Sequence, residues 1–266
     1  MRCAAEGQRG DDRMYRGGFG GRRTGRRGGR DQNYYLATML VTQVVRRLNE
    51  LERKPPFTIL LLGLCAAAHY TEVRDWLPSV GQACLRPERL HPGESMLGIF
   101  NPVRMIFSSL LHANEYHLYH NCISLLNKGV QLELRHKPLP FAAMTCFLLG
   151  ASSGLYVLIS HLGVAMLGLT PSCAIGFSAV LFGYKVVAAL ESGHTGEQTF
   201  FGIRVPKGVY LSWVELVTIQ FVHPNASFLG HLCGVLAGWL YYLLFLKQRG
   251  RSRFHGHGTT GRRRQD

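Results

Sequence analysis

Acyl transfer needs a nucleophile, a base and hydrogen-bond donors, and this 266-residue chain holds all of them inside apolar segments. Ser178 lies in the run Cys173-Ala174-Ile175-Gly176-Phe177-Ser178-Ala179-Val180-Leu181-Phe182-Gly183-Tyr184-Lys185, just after a glycine that lets another backbone come close. A serine hydroxyl in such a run can simply bond its own helix backbone. It becomes a nucleophile only when a base can take its proton. His231 opens the run Gly230-His231-Leu232-Cys233-Gly234-Val235-Leu236-Ala237-Gly238. His117 and Asn121 stand four apart, on one face of a helix. The plain readings of these groups are a packing histidine at His231, or a metal site made of His117, Asn121 and His231. No carboxylate or thiolate joins them at that depth, and the spacing carries no zinc signature, so neither metal nor cofactor is expected.

The elements that must position these residues follow from composition and charge. The chain is 47% hydrophobic and only 17% charged, against roughly a quarter charged in soluble domains. Its net charge of +14 sits almost entirely in its ends. Residues 1–30 carry nine Arg against Glu6, Asp11 and Asp12, and residues 247–266 carry Lys247 and six Arg against Asp266. An apolar middle between two basic tails reads as an all-α, polytopic membrane bundle with both ends on the cytosolic side. Nucleic acid is the competing explanation of the Gly/Arg-rich start, and no nucleic-acid partner is expected.

The expected organisation is a disordered basic tail over 1–33, an amphipathic interfacial helix over 34–54, a membrane domain over 55–247 and a second basic tail over 248–266. Leu36, Leu40, Val44, Leu48 and Leu51 form the apolar stripe of the interfacial helix, which is expected to lie on the cytosolic leaflet. Six spans are expected, at about 57–70, 116–134, 138–161, 173–190, 209–223 and 226–246. This count puts Arg135, Lys137, Arg204 and Lys207 on the cytosolic side and leaves the other face with a charge-balanced loop over 71–112. The cysteines imply no disulfide framework. Cys65, Cys122, Cys146, Cys173 and Cys233 read as small packing residues, and Cys84 reads as a loop cysteine without an intrachain partner.

With the amino terminus inside, spans two, four and six all begin at the extracytosolic face. His117, Asn121, Ser178 and His231 then sit roughly 5–10 Å below one surface at 1.5 Å per residue. Gly230, Gly234 and Gly238 make a smooth stripe that allows close packing, expected against span four. Lys185 and Glu215 fall inside spans four and five, where pairing would lower the cost of burying them. Glu133 is expected to be a structural tether at the cytosolic end of span two.

These motifs resemble the rhomboid intramembrane serine proteases. The resemblance is carried by Gly176-Phe177-Ser178, by His117-Leu118-Tyr119-His120-Asn121 after Arg104, and by Gly230-His231 with its glycine stripe, over about residues 57–246. Together with Trp213-Val214-Glu215-Leu216, the wording is most similar to the six-helix rhomboids of the endoplasmic reticulum. The resemblance implies a Ser178–His231 dyad, with His117 and Asn121 stabilising the oxyanion, acting on transmembrane protein substrates within membrane lipid. It implies a multi-pass protein of the endoplasmic reticulum or another secretory-pathway membrane. The sequence departs from the family's habit at Pro102-Val103 before Arg104, at Ala179 after the serine, and at Phe182, which takes the place of a tyrosine stacked on the base. The alternative is a non-catalytic, derlin-like client-binding scaffold, against which the presence of both Ser178 and His231 counts. A transporter would show inverted repeats, and none is legible.

Overall fold

The computed structural model describes residues 26–70, 76–85, 102–169, 172–192, 197–200, 203–206, 208, 210–222 and 226–247. The tail residues 1–25 and 248–266, and most of the charges expected to balance in the first loop, lie outside the described residues. The helices are α1 (Arg26–Asn49), α2 (Pro56–Tyr70), the short α3 (Val80–Ala83), α4 (Pro102–Leu110), α5 (Glu115–His136), α6 (Pro138–Leu167), α7 (Ser178–Ser192), α8 (Tyr210–Val222) and α9 (Phe228–Tyr241). A π-helical turn, Tyr242–Leu246, continues α9. A small antiparallel hairpin, β1 (Glu197–Phe200) with β2 (Ile203–Pro206), joins α7 to α8. The architecture is an all-α membrane bundle, and the six expected spans correspond to α2 and α5–α9. Pro138–Leu167 and Phe228–Leu246 are each long and apolar enough to cross a membrane by themselves.

Local chemistry sets the helix ends. Asn114 caps α5 by accepting from the His117 N–H at 2.9 Å, and Ser227 caps α9 by accepting from the Gly230 N–H at 3.2 Å. Helix α6 starts on Pro138, whose missing N–H costs nothing in a first turn, and stops at left-handed Gly168 (φ 61°). At the start of α2, Glu133 of α5 supplies the cap from a neighbouring helix. Its two carboxylate oxygens accept from the N–H groups of Phe57 and Thr58 at 2.8 and 2.7 Å, and the Thr58 hydroxyl adds a third bond at 2.7 Å. The expected tether is thus a buried carboxylate at a positive helix terminus.

The core runs through the middle of the bundle, where Leu118 and Leu125 of α5, Phe141 and Leu148 of α6, and Val180 and Tyr184 of α7 are buried together. Helices α7 and α9 are the most extensively packed pair. Two expectations change. Helix α1 begins at Arg26 rather than at residue 34, and its stripe faces protein: Leu40 is buried in the main core, with Val44 and Leu51 beside it. Gln43 Nε2 donates to Tyr119 Oη at 2.9 Å, so α1 lies alongside the second turn of α5. Leu40, Val44 and Leu51 thus pack on the bundle, while Val41 and Val45 of the same helix are exposed. The second change is a disulfide between Cys84 and Cys173, with Cα atoms 5.6 Å apart across 89 residues of sequence. Cys173 therefore is not a packing thiol, and Cys84 has a partner. Hydropathy could not show this, because the pairing is made by the return of the first loop onto the segment ahead of α7.

Candidate active site

Ser178 is the first residue of α7. The sequence reading placed it about a turn inside a helix beginning near residue 173, but residues 172–177 form an extended approach instead. Gly176 turns that approach with φ +99°, a conformation open to glycine and strained for L side chains. A Cβ added there would lie 2.5 Å from His117 Cε1 and 2.8 Å from His117 Nε2, so the glycine is what lets the imidazole reach the nucleophile's segment. The Gly176 N–H donates to the Ser108 carbonyl at 2.6 Å, and Phe177 is buried. As a first-turn residue, Ser178 keeps its own N–H free of any intrahelical acceptor.

His231 stands one turn into α9, and its Nε2 lies 2.9 Å from Ser178 Oγ. The residue is buried, with 7% of its surface exposed. Among the described residues, its other nitrogen, Nδ1, meets no protein hydrogen-bond partner. No described carboxylate orients the ring. Phe182, one turn after Ser178, does so by packing, with ring centroids 4.8 Å apart and planes inclined at 34°. The glycine stripe makes this proximity possible. A Cβ on Gly234 would come 2.1 Å from the Ala179 carbonyl oxygen, and one on Gly238 would come 2.8 Å from that of Gly183. The expected packing of the stripe on span four is what the structure contains.

His117 and Asn121 occupy the start of α5. The Ala113 N–H points at His117 Nδ1 across 3.4 Å, a weak contact that favours the tautomer with its proton on Nε2, the nitrogen over Gly176. Asn121 is buried, and its Nδ2 donates to the His117 carbonyl at 2.8 Å. One of its two amide hydrogens is therefore spent on its own helix and the other is not. His112, from the end of the first loop, packs edge-on against His117 at 5.1 Å. Three helices, α5, α7 and α9, thus direct their amino-terminal ends at one place, where their dipoles favour negative charge.

The intramembrane charges behave as expected: Lys185 Nζ donates to Glu215 Oε1, tying α7 to α8. Lys185 also lies over the Phe182 ring, 4.7 Å from its centroid, so the ion pair adjoins the ring that stacks on His231. Sequence reasoning missed Ser108, Leu85 and Ala174. Leu85 and Ala174 form an isolated antiparallel bridge. The signal that could have found it was the shared extracytosolic position of Cys84 and Cys173.

The rhomboid domain family matches residues 100–248, a stretch that contains His117, Asn121, Ser178 and His231. The chain belongs to the rhomboid family. It is therefore an integral membrane protein of a family that includes serine proteases. Rhomboid-like protein 14, mitochondrial, of Arabidopsis thaliana is 34% identical over 222 residues, covering 81% of this chain and 64% of that protein. Rhomboid-related protein 4 of Homo sapiens is 39% identical over 146 residues, covering 52% and 44%. Rhomboid-type serine protease 2 of Yarrowia lipolytica is 28% identical over 148 residues, covering 54% and 47%. The chain spans between 44% and 64% of the lengths of these three rhomboids. No solved structure matches it.

Proposed function

We propose that this rhomboid is an intramembrane serine endopeptidase that hydrolyses a peptide bond in or next to a transmembrane segment of another membrane protein. The observation that carries this reading is the 2.9 Å contact between Ser178 Oγ and His231 Nε2. His231 takes the hydroxyl proton as Oγ attacks the scissile carbonyl carbon, and returns it to the departing amine. Water then repeats the sequence on the acyl-enzyme, with His231 again the base. The oxyanion meets the Ser178 N–H at the start of α7, His117 Nε2–H and the second Asn121 amide hydrogen. Each such donor is worth about 3 kcal/mol in the transition state. His231 is oriented by Phe182 rather than by a carboxylate. Phe182 brings no hydroxyl, but the chemistry asks none of it.

The mouth of the site opens on the extracytosolic side, since the basic carboxy-terminal tail and Arg135, Lys137 and Arg204 favour the cytosolic face. The carboxy terminus is then cytosolic, and the membrane is that of the endoplasmic reticulum or the wider secretory pathway. Substrates are helices that unwind readily near that surface. The test is cleavage of a single-span substrate by the purified protein in detergent, beside Ser178→Ala. Activity in the parent and none in the variant is the expected result. Equal cleavage in both would remove Ser178 from the mechanism. Stable co-purification of substrate without cleavage in either would favour the client-binding scaffold.

A further inference from the structure

The extended approach that delivers Ser178 has no helix of its own to hold it, since α7 begins only at the serine. It is held from outside. Cys173, five residues ahead of Ser178, is joined to Cys84 of the first loop. The next residues along, Leu85 and Ala174, exchange both backbone hydrogen bonds, at 3.0 and 3.1 Å. Gly176 then donates to Ser108, at 2.6 Å. Tyr156 Oη of α6 donates to the Ser172 carbonyl from the other side. The covalent link is the first of these restraints, and both sulfur-bearing residues are buried, Cys84 at 0% and Cys173 at 8% exposure.

We propose that the Cys84–Cys173 disulfide is a maturation clamp: its oxidation completes the active site by holding the approach to Ser178 in register with His231 and His117. This rests on the protease reading above. In the newly inserted chain both cysteines are thiols, the first loop is free to leave Ala174, and cleavage is slow. Clamping requires an oxidant, a protein disulfide of the thiol–disulfide oxidoreductase class. One cysteine thiolate attacks that disulfide, giving a mixed disulfide and releasing one oxidant thiol. The second cysteine then displaces the other oxidant sulfur. Two electrons and two protons pass from the pair of cysteines to the oxidant, which ends as a dithiol. Both cysteines lie on the extracytosolic side of the charge-derived topology, where disulfides persist, so the clamp belongs to the same compartment as the catalytic mouth. Burial protects it once it is made.

The test uses the full chain in two arms. In the first, free thiols are alkylated before the membranes are solubilised, and the digested protein is mapped by mass spectrometry without reduction. A linked peptide pair containing Cys84 and Cys173, abolished by dithiothreitol, is expected. Alkyl label on both cysteines would overturn the proposal. In the second, cleavage of the single-span substrate and labelling of Ser178 by a fluorophosphonate are followed for the parent, the reduced parent, and Cys84→Ser, Cys173→Ser and the double variant. Reduction and each substitution are expected to lower kcat by about 10- to 100-fold with little change in KM, as for a misplaced reacting group. The double variant should match either single one, and reoxidation should restore the unsubstituted chain, which keeps the result independent of any folding defect in the variants. A linked parent that cleaves equally fast when reduced would overturn the clamp. A linked parent indistinguishable from Ser178→Ala would instead refute the protease reading and leave the disulfide standing.

Discussion

Gly234→Ala tests the geometry of the dyad without touching either member. The added methyl carbon would sit 2.1 Å from the Ala179 carbonyl oxygen, 2.8 Å from its carbon and 2.9 Å from the Ala179 Cα. All three are backbone atoms, so no side chain can rotate away. Relief requires α9 to withdraw from α7 by about 1 Å, given that carbon atoms pack comfortably near 3.5 Å. His231 lies three residues before Gly234 on the same helix and moves with it. The 2.9 Å contact to Ser178 would open toward about 4 Å, beyond hydrogen-bond range. A displacement of that size in a reacting pair is worth about 100-fold in rate, and the overpacking itself costs about 1–3 kcal/mol of stability. The assay is kcat and KM for a single-span substrate, with thermal unfolding in detergent to show that the variant is folded. Gly150→Ala in α6 is the control, because a Cβ there meets nothing within 4 Å and should leave both measurements near the parent. A Gly234→Ala protein with parental kcat would refute the close packing of α9 on α7 as the device that builds the dyad.

Glu133→Gln should destabilise the protein by about 2–4 kcal/mol, since its amide NH₂ would face either the Phe57 N–H or the Thr58 N–H, each of which a carboxylate oxygen now satisfies. An unchanged unfolding midpoint would contradict that. Lys185→Met and Glu215→Gln should be non-additive in a double-mutant cycle by about 1 kcal/mol, because removing either leaves the other charge without its partner. Independent effects would separate the pair. His117→Ala should lower kcat by about 100- to 1,000-fold with KM held, the mark of a donor used only by the oxyanion. A change confined to KM would make His117 a binding residue.

Much of the site is legible in the sequence because its signals are local. A polar residue in an apolar run advertises itself, and a four-residue glycine spacing makes a helix stripe wherever the helix goes. The order His117–Asn121, Ser178, His231, together with the alternation of basic connections, was enough to bring three helix starts to one surface. Lys185 with Glu215, and Glu133 as a tether, follow from the same cost of isolated charge in a membrane. What the sequence left open were the partners of features that have more than one possible face. The stripe of α1 could meet lipid or protein, and only the fold lays Leu40 and Gln43 against α5. The run ahead of Ser178 is apolar enough to read as helix, yet it is extended because Leu85 and Ser108 supply the hydrogen bonds a helix would have made internally. Cys84 and Cys173 are separated by 89 residues, and no periodicity links them. Hydropathy and spacing act along the chain, whereas a bridge between two loops exists only once helices α2 to α7 have closed the distance.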